Sequence, residues 1–449
     1  MIGCTVQQLC NAVGGTLLQE SGAVVTEVST DSRSIPAGAL FVPLVGERFD
    51  GHDYLDAALA DGAAGCLTAK KPISLLDGKF YIQVPDTLEA LKALAAWYRD
   101  KFTIPMVQVT GSAGKTTTKE MIAAVLSQRF STLKTQANFN NAIGTPLTLL
   151  NLAPEHQAAV IETGMNHFGE IRYLGEMVRP TVITNVGDAH IENLGGTRQG
   201  ILQAKCEIFE NLQPGGLAVL NGDDELLSGL TLPFETVLCG QHKRCGVRVA
   251  NVAEHGIDGV TCTVTTVRDV YEVSIPSPGA YMIYPAAMAI AIGEHLGLTK
   301  AEMLAGIAAY RPVGSRMHLV RCSNDRIIID DCYNANPQAM AEALRILAQT
   351  EHPRRMAVLG DMGELGDLTE QAHRDMGTLA RTLGLNTVVT IGPKAKAIQE
   401  ADPDALWFPT VTEALPAIRA AFTAGTAVLV KASHAMHFTD IVKDLEATE

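Results

Sequence analysis

The stretch IPMVQVTGSAGKTTTK, at positions 104–119, constrains the fold of this chain more than any other feature. Its apolar start predicts a short buried strand at 106–109, and the residues from Lys115 onward predict a helix. Between them, Gly111 and Gly114 allow a backbone with positive φ, which turns N–H groups toward an anion. The N-terminus of the helix adds its positive dipole end. The stretch therefore predicts a phosphate-binding loop.

The side chains of this loop suit a nucleotide. A lysine at 115 can reach the β- and γ-phosphates, and a threonine at 116 places a hydroxyl where phosphate-bound Mg²⁺ needs an oxygen. The general pattern G-x-x-x-x-G-K-[ST] requires glycine at 109, where this chain has Val109, so the match is to the shortened form G-x-x-G-K-T. An ordinary glycine turn before a helix is the alternative, but the flanking elements and the Lys-Thr pair favour phosphate binding. The predicted loop comprises Thr110, Gly111, Ser112, Ala113, Gly114, Lys115 and Thr116.

Bulk composition excludes several classes of function. The chain has 449 residues and a formal charge of −14, which argues against broad nucleic-acid binding, since that requires clustered Lys and Arg. Its nine cysteines include no C-x-x-C and indicate reduced thiols in a cytoplasmic protein. The N-terminus MIGCTVQQLC is not a signal peptide, and no apolar run is long enough to predict a membrane span.

The order of predicted elements indicates an α/β protein of three domains. We predict a small α/β domain at 1–84, a central domain with a mostly parallel sheet at 85–312, and a Rossmann-like domain at 313–449. A β-rich insertion is predicted at 248–276. Ligands bind at the carboxyl ends of the strands in parallel sheets, so polar residues there are the candidates for a site.

Several such residues belong to the central domain. Glu162 follows the strand predicted at 158–161, where a carboxylate can hold Mg²⁺ on a nucleotide, and a solvated strand end is the alternative. Asn185 and His190 follow the next strand, although a lone histidine is more often structural. Lys205 is predicted on a partly buried helical face, with an ion pair to Glu207 as the alternative.

Other candidates lie in polar loops. Three asparagines at 138, 140 and 141 suit a sugar or a diphosphate, although such loops are often simple turns. The loops at 31–38 and 45–54 are polar and contain glycine, and they are equally well explained as ordinary connections. In the last domain, polar residues follow the linker and the first strand, and they could face a nucleotide across a cleft: Arg316, Asp331, Asn334 and Asn336.

The whole set of motifs resembles the Mur ligases. The motifs occur in the family's order: TGSAGKTTTK, NFNN-x-IG-x-P, ETG, TNVGDAHIENLG, AKCEIF, NGDD, GSRM, DDCYNANP, AVLGDMGELG and VLVKASHAMH. The resemblance spans essentially the whole chain, and the combination is specific even where single motifs are weak. YNANP and VLGDMGELG are most similar to the member that adds a dipeptide rather than a single amino acid.

The resemblance implies an ATP- and Mg²⁺-dependent amide ligase. A carboxylate at the end of UDP-N-acetylmuramoyl-tripeptide would attack the γ-phosphate of ATP, and the amine of D-alanyl-D-alanine would displace phosphate from the resulting acyl phosphate. The implied partners are these small molecules, with no nucleic acid, and the implied state is a monomer. Such an intermediate hydrolyses easily, so domain closure that excludes water is expected.

The resemblance also implies residue roles. Lys115 would bind the γ-phosphate, Thr116 and Glu162 would hold one Mg²⁺, and His190 would hold a second together with Lys205 as a carbamate. Catalytic roles are thereby implied for Lys115, Lys205 and His190. Implied nucleotide contacts outside the loop are Asn185, Arg316, Asn334 and Asn336. Implied contacts to the UDP substrate are Ser32, Arg33, Asp50, His52, Asn138, Asn140 and Asn141.

The chain departs from the family pattern at three places. Residues 281–286 read YMIYPA where His-Asn-x-x-Asn-Ala is frequent, which removes the expected adenine contacts. The closing motif reads Lys431-Ala432-Ser433-His434 instead of Lys-Gly-Ser-Arg, so a titratable group replaces a permanent cation. Cys206 stands where Gly or Ser is commoner, and we expect little consequence.

Three alternative functions remain open at the level of sequence. One is another ligase of the same superfamily, such as a folylpolyglutamate synthase, which should lack YNANP. Another is a P-loop nucleotide switch, which would hydrolyse ATP without an acceptor amine. The third is an inactive binding scaffold, which the full set of phosphate and metal residues disfavours.

Overall fold

The computed structural model describes residues 1–72, 74–178, 181–183, 194, 197–213, 215–363 and 365–447, with 181–183 described by backbone only. Within these ranges the chain forms three successive α/β units, each around its own main sheet. The predicted α/β class with three domains is confirmed, whereas the boundaries at 84/85 and 312/313 stay predictions.

The first unit is built on a five-stranded sheet. Its elements are β1 (Cys4–Thr5), α1 (Val6–Val13), β2 (Thr16–Gln19), β3 (Val24–Val25), β4 (Val28–Ser29), β5 (Leu40–Phe41), α2 (Leu55–Ala60), β6 (Gly65–Thr68) and β7 (Phe80–Gln83). The sheet order is β2-β7-β6-β5-β4, parallel except for the β2-β7 pair, and β1 pairs separately with β3.

One helix connects the first unit to the central one. This helix is α3 (Thr87–Arg99), and it begins at Thr87 because the Asp86 side chain accepts hydrogen bonds from the N–H groups of Leu88 and Glu89. Its apolar face contributes to a core cluster that contains residues of both units. The helix therefore couples the first unit to the central sheet.

The central unit contains a nine-stranded sheet. Its elements are β8 (Met106–Thr110), α4 (Lys115–Leu126), β9 (Thr132–Lys134), α5 (Gly144–Leu150), β10 (Ala158–Glu162), α6 (Glu170–Gly175), β11 (Thr181–Ile183), α7 (Arg198–Cys206), β12 (Leu217–Asn221), α8 (Glu225–Ser228), β13 (Glu235–Gly240), β14 (Val247–Glu254), β15 (Val260–Thr265), β16 (Val270–Ile275), α9 (Ile283–His295) and α10 (Lys300–Ala309). The order is β16-β15-β14-β13-β12-β11-β8-β10-β9.

The topology of this sheet identifies a ligand crevice. Strands β9 to β14 pair in parallel, and β8 lies between β10 and β11, so the chain leaves β8 toward one side and later returns to the other. Ligands of such sheets bind at the carboxyl ends of the strands where the order reverses. The end of β8, which leads into the predicted phosphate loop, occupies that position.

The predicted β-rich insertion is present as the antiparallel strands β14, β15 and β16. Along β15, buried Val260, Cys262 and Val264 alternate with more exposed residues, as expected for a sheet with one covered face. The covered face packs into the same core as α4 and α9.

The last unit is a six-stranded sheet covered by helices. Its elements are β17 (His318–Cys322), β18 (Arg326–Asp330), α11 (Pro337–Ala348), β19 (Arg354–Gly360), α12 (Thr369–Thr382), β20 (Thr387–Ile391), α13 (Lys396–Ala401), β21 (Leu406–Phe408), α14 (Val411–Ala421), β22 (Thr426–Lys431) and α15 (Thr439–Ala447). The order is β17-β18-β22-β19-β20-β21, parallel except for β17. The predicted Rossmann-like character is confirmed.

Two further findings concern the chain as a whole. Among the described residues, no helix combines the length and apolar character needed to cross a membrane. All nine cysteines are described and are free thiols.

Candidate active site at the carboxyl edge of the central sheet

The predicted phosphate loop lies between β8 and α4. Gly114 precedes the helix with φ of +76°, a left-handed conformation that favours glycine, whereas Gly111 is not among the described glycines with positive φ. Val109, at the position where the longer pattern has glycine, is a buried residue of β8. The Lys115 Nζ donates a hydrogen bond to the Gly111 carbonyl at 2.7 Å. Lysine and loop thus form a closed turn around which a phosphate can bind.

Glu162 lies directly beside this loop. It is the last residue of β10 and pairs in register with Val109 of β8, so its side chain emerges at the same edge of the sheet. It is 2% exposed. Its Oε1 accepts a hydrogen bond from the Asn140 Nδ2 at 2.9 Å, whereas its Oε2 has no hydrogen-bond partner among the described residues. A buried carboxylate oxygen without a partner is costly, and a cation would satisfy it.

Lys115 lies near this carboxylate and near two further basic side chains. Burial lowers the pKa of Lys115, nearby Glu162 raises it, and Arg316 of the last unit lowers it, with a net decrease. Burial, followed by the positive charge of Lys115, lowers the pKa of Lys205 well below its usual value. Glu162, Lys205 and Arg316, which come from three separate motifs, therefore each lie within electrostatic range of Lys115. The site has an excess of positive charge that a polyphosphate would balance.

Lys205 is more buried than the sequence predicted. It lies near the end of α7 and is 3% exposed. The alternative of an ion pair with Glu207 is wrong, because the Glu207 carboxylate instead accepts hydrogen bonds from the backbone N–H of Gly169 at 2.8 Å and of Arg172 at 3.1 Å. Lys205 is thus a buried amine beside another cation.

The metal prediction can be examined for part of its ligand set. Thr116 is buried in the first turn of α4, and Glu162 has an unpaired oxygen, so this hydroxyl and this carboxylate fit a Mg²⁺ bound to phosphate. His190 and Asn185 lie outside the described residues. Among the described residues, no group of three His, Cys, Asp or Glu side chains is close enough to hold a metal.

The three asparagines of the loop at 138–141 differ in their contacts. Asn140 holds Glu162, as described above. The Asn141 Oδ1 accepts hydrogen bonds from the N–H groups of Ile143 and Gly144, just before and at the start of α5. Asn138 is exposed. Asn141 is exposed as well, and all three substrate contacts stay predictions.

The candidate substrate-binding side chains of the first unit form hydrogen bonds within that unit. The Arg33 guanidinium forms two hydrogen bonds with the Asp31 carboxylate and lowers the pKa of Asp31 to about 2. Ser32 lies between them in the same turn. The His52 Nδ1 bonds Asp50 at 2.6 Å, and its Nε2 accepts the N–H of Ala69 at 3.0 Å. A ligand contact from the His52 ring would have to replace one of these bonds.

The last unit brings Arg316 to the site on an aromatic support. The Arg316 guanidinium lies 3.7 Å from the ring centroid of Tyr333, and His434 packs edge-on against the same ring at 5.7 Å. Asp331 forms an ion pair with Lys431 at 2.5 Å, and the Lys431 Nζ also donates to the carbonyl of Asn334 at 3.0 Å. These contacts order the loop after β18.

The two asparagines of this loop have local partners. The Asn334 Oδ1 accepts the N–H of Ala335 at 2.9 Å. The Asn336 Oδ1 accepts the N–H of Ala339 at 2.8 Å, which makes Asn336 the N-cap of α11. Their predicted contacts to a nucleotide stay predictions.

The segment that departs from the family pattern joins two units. Tyr281 packs against the core clusters of both the central and the last unit, and burial raises its pKa. The Tyr284 hydroxyl donates to Asp223 Oδ2 at 3.1 Å, while burial, with Asp223 second, raises its pKa to about 12. Aromatic residues at these positions therefore supply packing between elements.

Sequence reasoning did not identify Lys119 or Tyr333 as parts of the site. Lys119 lies one helical turn after Lys115, a spacing that places both on one face of α4. That signal was present in the sequence, whereas the stacking of Arg316 on Tyr333 depends on the fold of the loop.

Three family models match this chain. The model described as "Mur ligase middle domain" matches residues 109–293, "Mur ligase, glutamate ligase domain" matches 315–434, and "Mur ligase family, catalytic domain" matches 24–99. The chain is 35% identical to the UDP-N-acetylmuramoyl-tripeptide–D-alanyl-D-alanine ligase of Bacillus subtilis and 35% identical to the enzyme of that name from Escherichia coli, over 99% of each chain in both cases.

Solved structures resemble the whole chain. A crystal structure of MurF from Acinetobacter baumannii has a TM-score of 0.91 and 31% identity, with 99% of both chains covered. The structure of MurF ligase from Thermotoga maritima in complex with ADP has a TM-score of 0.82 and 27% identity, with 94% of this chain and 98% of that chain covered.

Proposed function

Because this chain belongs to the Mur ligase family, we propose that it joins D-alanyl-D-alanine to UDP-N-acetylmuramoyl-tripeptide at the expense of ATP. The observation that carries the proposal is the grouping of Glu162, Lys205 and Arg316 around Lys115 at the carboxyl edge of the central sheet. Such an arrangement suits phosphoryl transfer, in which positioning and charge neutralisation supply most of the catalysis.

We propose that the reaction proceeds in two steps. A carboxylate oxygen of the tripeptide attacks the γ-phosphorus of ATP, the bond to the β,γ-bridging oxygen breaks, and ADP leaves. The Lys115 ammonium and the loop N–H groups stabilise negative charge on the transferred phosphoryl group. The amine of D-alanyl-D-alanine then attacks the acyl carbon, loses a proton, and displaces inorganic phosphate.

One Mg²⁺ would be held by Thr116 and Glu162, and a second by His190 and the carbamate of Lys205. These ions would neutralise charge and align the phosphates. Thr116 and Glu162 support this proposal through the buried hydroxyl and the unpaired Oε2. Lys205 supports it because an amine with a strongly lowered pKa is available in the neutral form that reacts with CO₂.

The substrates are proposed to occupy different units. The first unit, at 1–84, would bind the UDP end through the loops at Ser32, Arg33, Asp50 and His52, with the asparagines of 138–141 toward the sugar and diphosphate. The last unit, at 313–449, would complete the site for ATP with Arg316. We further propose that the enzyme is a monomer and acts in the cytoplasm on peptidoglycan precursors.

The order of the two steps gives a direct test. Hydroxylamine added to enzyme, ATP, Mg²⁺ and the UDP-tripeptide should trap a hydroxamate at the tripeptide carboxylate without any D-alanyl-D-alanine, because the activated acyl group forms before the amine binds. The hydroxamate is measured by mass spectrometry, with ADP replacing ATP as the control. A trapped product that required D-alanyl-D-alanine would contradict the proposed order, and ATP hydrolysis without any trapped product would indicate a nucleotide switch.

A further inference from the structure

A buried lysine outside the phosphate loop is connected to the same site. Lys119 is 1% exposed, although it carries a full charge that would be costly to bury without partners. Its Nζ donates to the carbonyl of Thr135 at 2.7 Å and forms an ion pair with Glu120 Oε1 at 2.9 Å. The same Nζ lies 3.9 Å from Glu162 Oε2. Lys119 therefore faces the carboxylate from the side of α4.

Thr135 links this lysine to the backbone of Glu162. While its carbonyl accepts from Lys119, its Oγ1 accepts a hydrogen bond from the N–H of Glu162 at 3.0 Å. Five residues later in the same loop, Asn140 donates to Glu162 Oε1 at 2.9 Å. The segment from Thr135 to Asn140 thus holds Glu162 at both its backbone and its side chain, and Lys119 attaches that segment to α4.

The two carboxylate oxygens of Glu162 have different surroundings. A separation of 3.9 Å is too long for a hydrogen bond, so Lys119 balances the charge of the carboxylate without using the lone pairs of Oε2. Oε1 is oriented by Asn140, and Oε2 has no hydrogen-bond partner among the described residues. This arrangement orients a carboxylate while one oxygen is left for a cation.

We propose that Lys119 is a positioning residue that holds Glu162 and the 135–140 segment in the geometry that binds nucleotide-associated Mg²⁺. The inference rests on the proposed function for the presence of Mg²⁺ and nucleotide at this site. Lys119 acts through Glu162 and Thr135 and has no contact with substrate in this role.

Electrostatics and positioning give opposite expectations for removal of the charge. If Lys119 acted only as a cation near a Mg²⁺ site, its removal would relieve like-charge repulsion and strengthen Mg²⁺ binding. If it served only to stabilise the fold, its removal would lower the unfolding temperature and leave the Mg²⁺ requirement unchanged. Only the loss of a positioning role weakens Mg²⁺ binding, so the direction of the change in the Mg²⁺ requirement identifies the role.

The test uses Lys119→Met and ADP as the probe. Calorimetric titration with ADP at a series of Mg²⁺ concentrations gives the Mg²⁺ concentration at which the increase in ADP affinity is half-maximal. Titration in EDTA gives the ADP affinity without metal. We expect Lys119→Met to raise the half-maximal Mg²⁺ concentration about tenfold or more, since loss of a residue that holds a metal ligand has an effect of this size. The affinity for ADP in EDTA should change less than about twofold.

Lys134 provides a matched control. It pairs with the other oxygen of the same Glu120, but its side chain is 34% exposed and, among the described residues, it forms no hydrogen bond or ion pair with Thr135 or Glu162. Lys134→Met removes one positive charge from the same cluster, and we expect less than a twofold change in the Mg²⁺ requirement. An equal increase in both variants would contradict a specific role for Lys119.

The remaining outcomes are also decisive. A folded Lys119→Met protein with an unchanged or lowered Mg²⁺ requirement would overturn the inference. If Lys119→Met fails to fold, Lys119→Arg replaces it, because the planar guanidinium retains the charge but cannot reproduce the three contacts of an ammonium. A raised Mg²⁺ requirement of Lys119→Arg would support the inference. An unchanged Mg²⁺ requirement would overturn it. A parent protein whose ADP affinity is the same in Mg²⁺ and in EDTA would contradict the proposed function itself.

Discussion

Replacement of Lys115 by alanine is expected to lower the rate of ligation by about a thousandfold or more while the protein stays folded. Removal of a single preorganised group that stabilises transition-state charge costs about two to three orders of magnitude, and Lys115 faces the phosphate that carries most of the developing charge. Among the described residues, the Lys115 Nζ donates to the Gly111 carbonyl within its own loop, and Lys115 is not a member of the hydrophobic core clusters.

The measurement for this prediction pairs activity with stability. Ligation is followed as D-alanyl-D-alanine-dependent phosphate release. The temperature of thermal unfolding should shift by no more than about 2 °C, since the lost hydrogen bond lies within the loop. Lys243→Ala, which removes an exposed lysine from the same unit, is the control and should retain full activity. A folded Lys115→Ala protein with close to parental turnover would show that the loop does not act on phosphate.

Replacement of Lys205 by arginine is expected to reduce activity by at least about a hundredfold. Arginine retains the positive charge, but a guanidinium does not form the carbamate that we propose as a metal ligand. The loss of a ligand that neutralises charge in phosphoryl transfer costs several kcal/mol, which corresponds to two or more orders of magnitude in rate. Because burial and Lys115 lower the pKa of Lys205, the neutral amine needed for carbamate formation becomes more abundant as pH rises through that lowered value.

Bicarbonate distinguishes carbamate formation from simple loss of packing. Activity of the parent enzyme should fall when CO₂ and bicarbonate are stripped from the buffer and should return when bicarbonate is restored. In ¹³C-bicarbonate, the parent enzyme should show a protein-bound carbamate signal by NMR, and Lys205→Arg should lack it. A Lys205→Arg enzyme with a near-parental rate and no response to bicarbonate would contradict the assignment.

Residues of the site that follow from local chemistry could be predicted from sequence. Lys115 and Thr116 are defined by their place between a glycine turn and a helix, and Glu162 by its place at a strand end beside that turn. Their side chains project from regular elements whose geometry is known in advance. The structure accordingly brings Lys115, Glu162, Lys205 and Arg316 to one edge of the central sheet.

Residues that act through tertiary contacts could not be predicted in the same way. The sequence does not show that the Asn140 side chain donates to Glu162, because this contact depends on how the loop folds back onto β10, and the predicted substrate contact of Asn140 stays a prediction. Glu207 was the alternative partner for Lys205, but backbone N–H groups at the start of α6 take its carboxylate instead. Lys119 was recognisable only as a helical neighbour of Lys115, since its partner Thr135 lies in another element.

The central claim is that this protein forms an amide bond between two specific substrates and does not merely hydrolyse ATP. The most direct measurement is phosphate release by purified enzyme with ATP, Mg²⁺ and UDP-N-acetylmuramoyl-tripeptide, with and without D-alanyl-D-alanine, together with mass spectrometry of the UDP product. We predict sustained release only when both substrates are present, with one UDP-pentapeptide formed for each phosphate released. Phosphate release that is independent of D-alanyl-D-alanine, or that yields no pentapeptide, would contradict the assignment.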